Sequence, residues 1–148
     1  MSVGSVWCWS SLYGLANPSS ASDVIEGRLI AIALRALELG VSVVIDFGLW
    51  SRDERSALRQ AAADVGARVE MRYFTLTAEE QRRRLDRRSA EAADTTWSMT
   101  DDELAAYAAT FTIPTPGELD GSEPVDMAPA DYATWDEWRR ERWPPSVS

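Results

Sequence analysis

A length of 148 residues, 45% hydrophobic and 26% charged, fits one soluble globular domain with a core of ordinary size. The chain has no histidine and a single cysteine, Cys8, which excludes an intramolecular disulfide, histidine-based catalysis and a structural zinc site. A net charge of −9 opposes the backbone of nucleic acid, and no apolar run nears the roughly 20 residues that span a bilayer, so the sequence reads as cytoplasmic, with neither nucleic acid nor membrane as a partner.

Residues 1–22 form an atypical N-terminal segment, rich in serine, glycine and aromatics and without a sustained period. Within it only Ser2 to Trp9 roughly alternates. From Asp23 the pattern changes: Ile25, Leu29, Ile32, Ala33 and Ala36 recur at helical spacing, predicting a helix over 23–39. Asp23 with Glu26 resembles a capping pair, and Gly40 suits the left-handed residue that ends a helix. Val41-Ser-Val-Val-Ile-Asp46 is β-branched and apolar on both faces, as a central strand of a parallel sheet is. Ser51-Arg-Asp-Glu54 is a capping box, and Leu58, Ala61, Ala62 and Val65 continue one apolar stripe to a stop at Gly66.

Val69, Met71 and Tyr73 then alternate with Glu70 and Arg72 as a second strand. Strand, helix and strand in this order predict a right-handed parallel crossover. Thr77 to Glu80 and Thr100 to Glu103 are further capping boxes, opening an arginine-rich helix to about 88 and an alanine-rich one to about 110. Pro114 and Pro116 end the regular region. These signals divide the chain into the N-terminal segment 1–22, an α/β core over 23–119, and a Pro/Trp-rich tail over 120–148. In the tail, Asp131 to Arg142 predicts a short amphipathic helix carrying Trp135, Trp138 and Arg139.

Three features carry charge where chemistry needs it. Asp46 closes an apolar strand, and in open α/β sheets ligands bind just beyond that end, where an acid holds magnesium through water or takes a proton from an acceptor. The plainer alternative is that Asp46 accepts backbone N–H groups in the turn at Gly48. Arg52, Arg55 and Arg59 lie on the polar side of the next helix, and Arg52, in its first turn, is the one near enough to share a site with Asp46. Arg84 and Arg88 lie four apart on one helical face and can present two guanidinium forks to a single polyanion. The alternative there is a solvated face paired with Glu79, Glu80 and Asp86.

The blocks VSVVIDFGLWSRDER and GARVEMRYFTLTAEEQRRRLDRRSAE, followed by SMTDDELAAYAATFTIPTPGEL, resemble the later part of the small bacterial P-loop ATP-binding proteins regarded as predicted kinases, relatives of zeta-toxin-like and chloramphenicol-phosphotransferase-like enzymes. The resemblance covers roughly 23–119 and includes the IEGRL helix, DFG-x-W-S-R and an RL-x-x-R lid motif, with Ser89 where the family usually has asparagine. It implies a three-layer P-loop kinase-like sandwich with a parallel sheet, and transfer of the γ-phosphoryl of ATP, with Mg2+, to a small-molecule acceptor. It also implies catalytic roles for Asp46 and Arg52 and a phosphate-covering lid carrying Arg84 and Arg88, with no metal ligand assigned to any residue. Their roles would be electrostatic, since phosphoryl transfer relies on positioning and charge neutralisation.

The departures are as informative. All 15 cationic side chains are arginines, so these residues hold no lysine and no G-x-x-x-x-G-K-[ST] loop whose backbone cradles phosphates while lysine reaches the β/γ oxygens. The implied sheet is therefore expected to be incomplete on its N-terminal side. Three completions stay open: Ser2 to Trp9 substituting for the central strand, direct pairing of the two remaining strands, or another chain filling the gap. Two functional readings stay open. One is an ATP-dependent phosphotransferase whose reading is truncated or whose copy has decayed. The other is a non-catalytic scaffold whose Trp135, Trp138 and Trp143 contact a protein partner. Trp50, Trp97 and Tyr107 are either acceptor-pocket walls or core.

Overall fold

The structure, a computed structural model, describes residues 18–91 and 100–144. Ser2 to Trp9 and Trp97 lie outside the described residues. Regular structure among the described residues is helical: α1 (Pro18–Glu38), α2 (Arg52–Asp64), α3 (Ala78–Glu91), α4 (Asp101–Thr110), α5 (Pro116–Asp120) and α6 (Trp135–Arg142).

The predicted parallel-sheet sandwich is overturned, because the described residues contain no strand. Residues 41–46 and 67–77 do run without helical structure, as their β-branched and alternating sequences favour. No ladder forms between them, and Thr112 N donating to Trp50 O at 2.8 Å is an isolated contact at the end of the first. The reason is physical: a strand is completed by the backbone groups of another strand, and local sequence supplies only the extended conformation. Val44, Ile45, Val69 and Phe74, read as buried strand residues or their neighbours, are accordingly exposed.

The helix signals fared differently, because capping chemistry is local. Ser51 accepts from Glu54 N while Glu54 accepts from Ser51 N, the reciprocal box expected from Ser-x-x-Glu. Gly40 and Gly66 adopt φ of 78° and 72° and close α1 and α2 with the paired bonds of a Schellman motif, Val41 N to Ala36 O and Ala67 N to Ala62 O. Helix α1 begins at Pro18, five residues before the expected start. Asp23 and Glu26 are not its cap; Glu26 instead accepts from Ser22 one turn earlier, and Asp23 reaches Arg142. The buried face of α1 runs through Val24, Glu26, Ile30 and Ala33, leaving Ile32 exposed.

The core sits between α1, α2 and α6. Ile30, Ala57, Trp135 and Trp143 form its buried cluster, with Leu34, Leu58 and Trp138 against it. Ala57, Ala61 and Ala62 let the helices approach, and the tail supplies the bulk: Trp138 meets Trp135 and Trp143 edge-on at 5.5 and 5.6 Å. Trp135 and Trp143 are thus buried in the chain's own core instead of offering a free aromatic surface. No helix among the described residues is long and apolar enough to cross a membrane.

Candidate functional site

The site is built at the N-terminal end of α2. The chain leaves Asp46 through a bend at Phe47, reaches Trp50, and enters α2 at the Ser51 cap. Glu54 holds this entry. Its Oε2 accepts from Trp50 N at 2.6 Å and Ser51 N at 3.0 Å, and its Oε1 accepts from Arg142 Nε at 2.8 Å, so one buried carboxylate ties the turn to the tail.

Three arginines follow at helical spacing on α2. Arg55 is 2% exposed and grips Glu118 through Nε at 2.9 Å and a second nitrogen at 3.2 Å, while its third donates to Thr112 O at 2.8 Å. Arg52 is 30% exposed and lies among three acids: it holds Asp126 through two nitrogens and Glu123 through one, with Glu118 at 3.6 Å. Arg59 donates to Glu123 O. The hydrogen bonds Arg52 donates to Asp126 and Glu123 raise its pKa further above its ordinary range. Asp126 is held below the usual carboxylate value chiefly by Arg52, and Glu123 by Thr115 and then Arg52. Burial opposes ionisation of Glu118, but the Arg55 and Thr115 hydrogen bonds outweigh it and lower its pKa.

A groove of about 870 Å³ opens between the two extended segments, with Leu34 of α1, Leu58 of α2, Asp46 and Tyr73 among its walls. At one end Phe111 stacks on Tyr73 at 5.6 Å and meets Trp50 edge-on at 6.2 Å, spanning the two segments. Asp46 is exposed at this groove. No hydrogen bond or ion pair among the described residues joins it to Arg52, whose partners are Glu118 and the tail acids Glu123 and Asp126. Asp46 and Arg52 are thus near in sequence, and the structure assigns Arg52 to tail carboxylates.

The second predicted pair is not assembled into this site. Arg84, on α3, donates to Glu80 at 2.7 Å and is half exposed, which matches the solvated-face alternative. Arg84 is the leading cause of the lowered pKa of Glu80. The Arg88 and Tyr107 side chains lie outside the described ones.

Sequence reasoning missed Glu118, Glu123 and Asp126. A signal existed for the first: Thr115-Pro-Gly-Glu118 is a capping box with proline at the first helical position, and it opens α5. Among the described residues no three acidic or cysteine side chains cluster as metal ligands.

A family model described as an AAA domain matches residues 11–114. The chain belongs to this AAA-domain family. That places it with the P-loop NTPase-like, kinase-type domains, the level at which the sequence resemblance holds. No curated protein and no solved structure matches the chain. Within the AAA-domain match lie Asp46, Arg52 and Arg84, whereas the acids that hold Arg52 lie beyond it in the tail.

At the N-terminal end of α2 the arginines offer ATP with magnesium no open cation set: Arg52, Arg55 and Arg59 each already hold a carboxylate or carbonyl of residues 112–126, and the sequence has no lysine to stand in for them. A polyphosphate there competes with those oxygens for the guanidinium groups.

Proposed function

We propose that the chain derives from an ATP-dependent small-molecule phosphotransferase, related to the zeta-toxin-like and chloramphenicol-phosphotransferase-like enzymes, and that these 148 residues bind ATP–Mg2+ weakly or not at all. The lineage rests on the family match and on DFG-x-W-S-R leading into a capped helix with Arg52 in its first turn. The observation that carries the impairment is the commitment of Arg52, Arg55 and Arg59 to oxygens of residues 112–126 in a chain without lysine. Phosphoryl transfer needs cations directed at the transferring group, since positioning and charge neutralisation supply most of the catalysis. Asp46, exposed at the groove, is the residue of the site that could still act on an acceptor hydroxyl.

Calorimetric titration with ATP, with and without Mg2+, tests this. Dissociation constants weaker than about 1 mM are expected; a magnesium-dependent constant near about 1 μM would overturn the impaired reading.

A second reading, a non-catalytic scaffold derived from such an enzyme, is favoured by one observation. The charged groups of α2 serve to fasten the tail, with Arg55–Glu118 wholly buried. On that reading D46N leaves every function of the protein unchanged, whereas the phosphotransferase lineage predicts loss of any residual phosphoryl transfer.

A further inference from the structure

The ion pairs fastening the tail to α2 are of two physical kinds. Arg55 and Glu118 are 2% and 1% exposed, and neither can lose the other without stranding a buried charge. Arg52, Glu123 and Asp126 are 30%, 31% and 41% exposed, where water and salt screen the attraction and make the contact exchangeable. The residues between Asp120 and Trp135 form no helix, and within them Glu123 and Asp126 turn carboxylates onto two sides of one guanidinium. That guanidinium stands in the first turn of α2, where the helix dipole also favours negative charge. The tail does not depend on this contact to stay docked: Trp135 and Trp143 are buried, Trp143 Nε1 donates to Glu26, and Arg142 reaches Asp23 and Glu54.

We infer that the Glu123–Asp126 segment is an autoinhibitory anion, holding Arg52 in the place of a phosphate group and released when a polyanion competes for that guanidinium. This rests on the proposed descent from a phosphotransferase, in which Arg52 would neutralise phosphoryl charge. The geometry has the features such a device needs: carboxylates gripping the guanidinium through Nε and Nη2, a fork a phosphate can also engage, partial exposure, and an anchor on each side of the segment that survives its release. Glu118 and Arg55 hold it on one side, and Trp135, whose Nε1 donates to Asp126 O at 2.7 Å, on the other.

The probe is inorganic pyrophosphate at constant ionic strength, with binding followed by calorimetry and by the melting temperature. E123Q/D126N, which keeps side-chain size and removes the competing charge, is expected to bind pyrophosphate at least about tenfold more tightly than the unsubstituted chain. R52A in that background is expected to abolish the gain. Unchanged affinity in a variant with native circular dichroism overturns the inference and makes the contact a purely structural fastening. A gain that survives R52A also overturns it, by placing the anion elsewhere, while leaving the family reading intact. If the double variant does not fold, D126N alone, which keeps Glu123 and its Thr115 contact, is measured against the same two outcomes. Tight ATP–Mg2+ binding by the unsubstituted chain is the separate result that would sink the impaired-enzyme reading.

Discussion

The region around α2 and the tail is rich in charge yet buried, whereas residues 41–46 and 67–77 are rich in β-branched and aromatic side chains yet largely exposed. Arg55, Glu54 and Glu118 are each at most 4% exposed, while Phe74 is 80% exposed. Hydropathy ranks these groups in the opposite order. What decides is whether partners exist for backbone and side chain together: each guanidinium nitrogen of Arg55 has a partner in Glu118 or Thr112, but the extended segments have no neighbouring ladder. Apolar character drives burial only when the accompanying peptide groups are also satisfied.

The largest effects should therefore fall in the charged region. Trp135→Ala removes a buried indole together with its hydrogen bond to Asp126 O, and a loss of ~3–5 kcal/mol in urea unfolding is expected. Glu118→Ala strands the Arg55 guanidinium and should cost a similar ~3–5 kcal/mol, with much of it recovered in R55M/E118L, where both charges leave together. Failure of the double variant to recover would show that Thr112 and the α5 cap, more than charge compensation, set the cost.

A smaller effect is expected at Gly27, where α1 meets the end of α6. A Cβ there would sit 2.8 Å from Trp143 O and 3.1 Å from Trp143 Cβ. Alanine gains up to about 1 kcal/mol of helix propensity, but the opposing atom is backbone and cannot swing aside, so overpacking of ~1–3 kcal/mol wins. Gly27→Ala should be destabilising by about 1 kcal/mol in urea unfolding, and a stabilised variant would mean that the α1–α6 contact yields easily.

Titration separates two carboxylates of the same region. Asp126 is held below its ordinary value, so its contribution to stability is complete above that value and is lost as pH falls through the lowered one. Burial raises Glu26 against the Trp143 hydrogen bond, so its contribution is complete below about 4.5 and is lost as pH rises through the raised value. Consequently Glu26→Gln should compare more favourably with the unsubstituted chain at pH 7.5 than at pH 4.5, whereas Asp126→Asn should compare less favourably at pH 7.5 than at about pH 3, inside the window below the ordinary value of 3.8. Urea midpoints at these pH values check both signs; parallel behaviour would mean that a shared Arg142 or Arg52 effect outweighs local environment.

What the sequence revealed follows the range of the interactions involved. The Ser51 box, the glycine stops at 40 and 66, and the helix near 135–142 depend on residues within a turn of one another, and all are formed. The sheet depended on partners far along the chain, and the alternation of Val69, Met71 and Tyr73 does not say whether they exist. Site residues divide in the same way. Arg52 was legible as a cation in the first turn of a capped helix, but its carboxylates lie more than 70 positions away, where nothing local marks Glu123 or Asp126 as its partners. The Arg84–Glu80 pair, four residues apart, was among the alternatives for the same reason that helix caps were.

The smallest effect is the sharpest test of the contrast between the two regions. Phe74 is the more exposed of the two aromatics in the second extended segment, and at 80% exposure it has little buried apolar area to lose on truncation. Phe74→Ala should change unfolding free energy by no more than about 0.5 kcal/mol, the range of surface substitutions. Arg84→Ala, which removes an exposed intrahelical partner of Glu80, should likewise leave the urea midpoint unchanged within error. A loss of about 3 kcal/mol at Phe74 would mean that its ring is covered in solution, and the opposition between a charged core and an exposed apolar segment would then fail at its most exposed aromatic. A null result at Phe74 beside a large loss at Trp135 would instead show that satisfied partners, not side-chain hydrophobicity, locate the stability of this chain.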